Sequence, residues 1–306
     1  MASDINALLK QTEEWITPDL EAVFSEKERE DITVQAAMYS LFAGGKRLRP
    51  MMSMLTFRML KLDPELEPDV KFFASCLEMI HTYSLIHDDL PAMDNDDMRR
   101  GKPTCHKVYG EGIATLAGDL LLNTALERLL KKCEYRPQYI YAASQMAQNA
   151  GLKGMIGGQS IDIASTDKEI SLDLLIELQK KKTGALIEAA VVTPYYIDVV
   201  HDESSGNKDE KAERLRELAS HIGLAFQIKD DILDVTSNSE VLGKSTGKDE
   251  RDSKATFVTL LGLEGAEERL KHEINLIREI LTEFKKSGFD ITDYETLTDF
   301  LENRDR

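Results

Sequence analysis

Apolar residues recur three and four positions apart along most of this chain, and no convincing stretch alternates apolar with polar at a period of two. That spacing lines hydrophobic side chains along helix faces and gives no half-buried strands. Only 8 of the 306 residues are proline, so few positions would break such helices. The pattern predicts an all-α fold, a single large bundle over residues 1–306. Its helices fall at about 4–25, 31–44, 47–62, 69–90, 111–132, 137–155, 171–200, 208–236, 254–286 and 293–303. The polar stretches Asp202-Glu-Ser-Ser-Gly-Asn-Lys and Ser237-Asn-Ser-Glu read as surface loops within it.

Asp plus Glu number 55 against 38 Lys plus Arg, a net charge of −17, which disfavours binding to nucleic acid phosphates or an anionic membrane surface. Any phosphate site must therefore be local. No stretch approaches the roughly 18 apolar residues of a membrane span, and residues 1–6 lack the basic and apolar regions of a secretory leader. Cys76, Cys105 and Cys133 have no metal-ligand spacing and read as free thiols of a reducing, cytoplasmic compartment.

Within the helical pattern an apolar run ends in Asp-Asp twice, at 88 and at 230. Around the second copy, Gln227, Asp230, Asp231 and Asp234 stand at i, i+3, i+4 and i+7 and share one helix face. The other faces are apolar through Ile232, Leu233 and Val235, so the acidic stripe is expected to point from a buried helix into a cavity. Carboxylates so close repel one another and need a cation. Hard oxygen donors without clustered His or Cys favour Mg²⁺, which bridges carboxylates to substrate phosphates. One such motif alone is more often a solvated helix end; two copies shift the balance.

The first copy is less regular. His81, Ser84 and Asp88 share a face, but the helix must end or kink near Pro91, and Asp94 lies six positions beyond Asp88, off the face of an ideal helix. The chain at Pro91 must bulge to return Asp94 to the site. His87 reads as a packed or capping residue. Two basic clusters stand out in so acidic a chain: Gly44-Gly-Lys-Arg-Leu-Arg-Pro, and Arg99-Arg100 directly after the first acidic motif. Either suits forked binding of phosphate oxygens, or a basic helix end.

Taken together, Gly44-Gly-Lys-Arg-Leu-Arg-Pro, His87-Asp-Asp-Leu-Pro-Ala-Met-Asp-Asn-Asp-Asp-Met-Arg-Arg-Gly-Lys-Pro-Thr, Gly157-Gly-Gln, Lys182-Thr-Gly and Phe226-Gln-Ile-Lys-Asp-Asp-Ile-Leu-Asp resemble the trans-type polyprenyl diphosphate synthase family, in its order, from about Gly44 to Lys254. The likeness is greatest to its bacterial farnesyl-producing members. The resemblance implies an isoprenoid-synthase bundle of about ten or more helices around a central cavity, usually a homodimer. It implies Mg²⁺, three ions with substrate bound, held by Asp88, Asp94, Asp230 and Asp234 with support from Asp89 and Asp231. Lys46, Arg49, His81 and Arg100 would hold isopentenyl diphosphate. Arg99, Lys182, Gln227, Lys244 and Lys254 would line the allylic diphosphate, with Thr183 near the developing cation; Arg99, Lys182, Thr183 and Gln227 are the expected catalytic set.

In this family bulk beneath the first acidic motif limits product length. Tyr83 and Ser84 are the fifth and fourth residues before Asp88. At 1.5 Å per residue, Tyr83 sits roughly 7 to 8 Å below the metal, where its ring would floor a cavity for about three isoprene units. The expected product from dimethylallyl and geranyl diphosphates is (2E,6E)-farnesyl diphosphate, with geranylgeranyl diphosphate the nearest competitor. A terpene cyclase is disfavoured by the second Asp-Asp-x-x-Asp, and a non-catalytic subunit of a heteromeric synthase by retention of both motifs. The charge-mixed C-terminal Glu302-Asn-Arg-Asp-Arg leaves its own role open.

Overall fold

The computed structural model describes residues 4–199, 209–241 and 255–304. Its helices are α1 (Ile5–Glu21), α2 (Ile32–Leu41), α3 (Leu48–Met59), α4 (Glu67–Asp88), α5 (Cys105–Tyr109), α6 (Glu111–Tyr135), α7 (Ile140–Ala150), α8 (Met155–Ser165), α9 (Leu172–Gln179), α10 (Ala185–Asp198), α11 (Glu210–Val241), α12 (Phe257–Lys286) and α13 (Thr292–Asn303). The all-α expectation holds. None of the described helices is long and apolar enough to cross a membrane.

Local chemistry sets many helix starts. Asp31 accepts from the Thr33 amide at 2.7 Å to cap α2, and Ser171 accepts from the Leu174 amide at 3.2 Å to cap α9. Thr256 and Thr259 form a reciprocal capping box at α12. The centre of the bundle is α10, whose Ala, Val, Leu and Ile side chains are buried on every side; it packs against α3, α4, α7 and α11. Two longer pairs flank it, α4 with α6 and α11 with α12. The three cysteines are buried free thiols.

Three features depart from the expected layout. The segment expected as one helix over 171–200 is interrupted by a π-helical turn, Lys180–Gly184, between α9 and α10. The Gly157-Gly158 stretch, beyond the expected helix end near 155, is part of α8. Gly158 is required there by proximity: a Cβ on it would fall 2.5 Å from the Lys182 Cα, so α8 and the π turn touch backbone to backbone. Finally, α11 runs on through Ser237–Glu240, expected as a loop, a stretch that contains neither glycine nor proline to stop it. The other expected loop, at Asp202, lies outside the described residues.

Between α4 and α5 the chain forms a small antiparallel hairpin pairing Met98–Arg99 with Lys102–Pro103. Arg100 and Gly101, at φ of 53° and 75°, supply the two positive values that a tight two-residue hairpin turn needs. Strands this short leave no readable alternation.

Candidate active site

Helix α4 ends at Asp88, and the chain then turns back on itself. The Leu90 and Met93 amides donate to the His87 and Leu90 carbonyls, and the Asp94 amide donates to the Asp88 carbonyl at 2.9 Å. This is the return demanded at Pro91, and it brings Asp94 back beside Asp88. Asp89 is committed elsewhere: buried, it takes three forked contacts from Arg99, at 2.7 and 2.9 Å from Nε and 2.6 Å from Nη2. Arg99 thus clamps the hairpin to the end of α4.

The second motif repeats this division of labour. Asp231, buried, accepts from Gln227 Nε2 at 3.0 Å and from the Phe257 amide at 2.8 Å, so it ties α11 to the first turn of α12. Asp230 receives Arg304, which also donates to the Phe226 carbonyl at 2.9 Å and lies 4.3 Å over the Phe226 ring. Asp234 is exposed, as is Val235 at 46%, so the stripe leaves the core at its lower end instead of staying buried throughout. The tail from α13 therefore has a place: Arg304 neutralises Asp230, and Lys229 holds the Glu302 carbonyl at 3.0 Å.

The basic residues divide in a similar way. Arg47 turns inward to Glu78 at 2.6 Å and starts α3 from a left-handed backbone. Arg49 and His81 face the cavity described below. Burial pulls the Arg49 guanidinium down to about 10, still cationic at neutral pH, and its Nε is buried without a partner. Burial and the surrounding Arg49 and Arg100 hold His81 well below the usual imidazole range, so it is neutral. Lys46 lies 5.0 Å over the Phe300 ring, and its ammonium is pulled down by burial and by Arg304. Arg100 bonds the Gly44 carbonyl and lies flat on Gly45, whose missing side chain makes the space: a Cβ there would sit 2.5 Å from the guanidinium carbon.

The π turn presents Lys182 and Thr183. Lys182 pairs with Asp162 of α8 at 2.6 Å, and Thr183 donates to Gln227 at 3.4 Å. Both line a cavity of about 610 Å³ together with Arg49, His81, Tyr83, Ser84, His87, Asp88, Met155, Gln159 and Ile163. Tyr83 is 5% exposed with its hydroxyl buried and unpartnered, and Ser84 donates to the His81 carbonyl. The Thr183–Gln227 bond links this cavity to the helix turn that carries Asp230 and Asp231.

Burial pushes the Asp88 carboxyl up to about 6 in spite of Lys182, and Asp230 likewise to about 6 in spite of Arg304. Among the described residues no three His, Cys, Asp or Glu side chains cluster tightly enough to hold a metal by themselves. Lys244 and Lys254 lie outside the described residues. Local spacing does not pick out Gln159, Asp162 or Arg304; Gln159 closes the Gly157-Gly-Gln stretch, and Asp162, three residues on, is the signal that extends it.

The chain matches the polyprenyl synthetase family over residues 30–288. It is 40% identical over 303 residues to a farnesyl diphosphate synthase of Haemophilus influenzae, spanning 97% of each chain. A chloroplastic geranylgeranyl pyrophosphate synthase of Capsicum annuum is 45% identical over 237 residues, 76% of this chain and 62% of that protein. Among solved structures, an FPP/GFPP synthase from Zymomonas mobilis superposes with a TM-score of 0.81 at 32% identity, covering 98% of this chain and all of the other.

Proposed function

Because the chain belongs to the polyprenyl synthetase family, we propose that it condenses isopentenyl diphosphate with dimethylallyl and then geranyl diphosphate to give (2E,6E)-farnesyl diphosphate. The observation that carries this reading is one apolar-walled cavity with Asp88, Lys182 and Thr183 on its lining and the Tyr83 ring among its walls.

The carboxylates fit Mg²⁺. Their donors are all oxygen, and burial disfavours the bare Asp88 carboxylate, which a cation bridging to phosphate oxygens would relieve. Asp88 and Asp94 of the first motif and Asp230 and Asp234 of the second would hold the ion. When bound, Mg²⁺ would neutralise the allylic diphosphate as a leaving group. Asp89 and Asp231 act as struts. Lys182 adds fixed positive charge next to Asp88, and Arg99, clamped on Asp89, orients the motif. Lys46, Arg49 and Arg100, with neutral His81 as a hydrogen-bond partner, would hold isopentenyl diphosphate. Thr183 and Gln227 present oxygens where positive charge develops, and the apolar walls exclude water from the allylic cation. The isopentenyl double bond attacks that cation, and a proton then leaves to the departing diphosphate. The reading includes a homodimer of a single catalytic unit.

A twenty-carbon product is the second reading, favoured by the Capsicum relative; Tyr83 opposes it. Purified protein incubated with Mg²⁺, isopentenyl diphosphate and dimethylallyl diphosphate should yield farnesyl diphosphate by mass. A twenty-carbon product would replace the first reading with the second, and absence of any condensation from folded protein would overturn both.

A further inference from the structure

Tyr83 is placed by its surroundings in an unusual way. Its hydroxyl is buried without a hydrogen-bond partner, so no polar contact fixes where the ring stands. What meets the ring is His87, one helical turn further along α4, edge to face at 5.7 Å between centroids and 80° between planes. His87 in turn is fixed from outside its own helix. Its Nε2 donates to the Thr115 carbonyl of α6 at 3.0 Å and lies 3.8 Å from Asp119. The imidazole fills a notch in α6 left by Gly118, where a Cβ would overlap the ring. Tyr83 and His87 both line the cavity.

We propose that His87 is a positioning residue for product length: seated in the Gly118 notch, it props the Tyr83 ring across the path of the growing chain. This deepens the prenyl-transfer reading and rests on it. The Thr115 carbonyl and the notch hold the imidazole to one orientation, and the edge-to-face contact passes that orientation to Tyr83. Without the prop, the tyrosine has neither hydrogen bond nor ring contact to keep it from turning aside, and the cavity lengthens along α4.

Four variants test this through product length, measured by mass at matched turnover so that slower enzymes are read on the same scale. His87→Ala should lower the ratio of fifteen- to twenty-carbon product about tenfold or more, the scale on which a pocket discriminates by size. His87→Phe keeps a ring in the notch and should hold the parental length. Gly118→Ala should push the imidazole into the cavity and cause ten-carbon geranyl diphosphate to accumulate, and adding His87→Ala to Gly118→Ala should abolish that accumulation. A parental product ratio from His87→Ala, or a double variant that behaves like Gly118→Ala alone, would overturn the proposal. Should His87→Ala fail to fold, Gly118→Ala decides: a shortened product supports the prop and an unchanged one refutes it. Failure of the farnesyl reading is separate, since it is seen in the parent's own product, whereas the prop is judged by each variant's shift from that product.

Discussion

Replacing Gly158 with Ala tests whether the contact between α8 and the π turn aims Lys182, the lysine proposed to act at the allylic diphosphate. The added methyl would lie 2.5 Å from the Lys182 Cα and 2.8 Å from the Lys181 carbonyl carbon. Carbon atoms at rest keep about 3.5 Å or more apart, so the two backbones must separate by about 1 Å, and no side-chain rotation can relieve them. Lys182 and Thr183 ride on the moved segment. A displacement of that size costs on the order of 10²-fold in rate when it misplaces groups around a reacting centre. Overpacking should lower stability by about 1–3 kcal/mol. Steady-state kinetics with geranyl diphosphate, alongside thermal melts, would measure both. The expected result is a kcat reduced about a hundredfold, a melting temperature lowered by several degrees, and a KM for isopentenyl diphosphate that changes little, because Lys46 and Arg49, proposed to hold it, stand before and on α3 rather than on the π turn. Parental kcat in the alanine variant would refute the reasoning, for it would mean that the π turn can shift without moving the chemistry.

Removing the ring at Tyr83 by Tyr83→Ala should shift product toward twenty carbons; an unchanged fifteen-carbon product would sink the floor. Asp88→Asn should abolish turnover yet stabilise the metal-free protein at pH 7.5. Burial raises the folded Asp88 pKa from 3.8 to about 6, so its penalty is full above about pH 6 and gone below about pH 4. At about 1.4 kcal/mol per unit the ceiling is about 3 kcal/mol, and solvent screening brings the expected gain to about 1–2 kcal/mol; equal melting temperatures for variant and parent at pH 7.5 would contradict it. Arg304→Ala leaves Asp230 without its countercharge, and with that carboxylate 37% exposed the loss should be about 1–2 kcal/mol, well under the figure for a fully buried pair. Saturating Mg²⁺ with inorganic diphosphate should recover most of it in a thermal shift assay, and no recovery would argue that Arg304 acts only through its packing on Phe226.

The parts of this site legible in the sequence are those written at helical spacing. Gln227, Asp230 and Asp231 needed only the rule that i, i+3 and i+4 share a face, and Pro91 alone required the chain to turn back before Asp94. The parts that escaped are long-range or depend on backbone register. Arg304 meets Asp230 across 74 positions, a distance at which no local pattern speaks. Lys180-Lys-Lys-Thr-Gly has good helix formers in its lysines, and nothing in its composition tells a π turn from an α turn. Gly157-Gly158 looks like a break because glycine disfavours helices, yet here a helix keeps it so that a neighbouring backbone can come near.

The unequal duties within each Asp-Asp pair bear on how such a chain would age if selection for its chemistry were relaxed. Asp89 and Asp231 would still be needed, one to anchor the hairpin through Arg99 and the other to start α12 at Phe257. Asp88 and Asp234 serve no comparable strut and could drift. A descendant reduced to a silent subunit would thus keep Asp89, Asp231 and the Arg304-bound Asp230 while losing Asp88 and Asp234, and part of each motif would outlive the activity by which it is usually recognised.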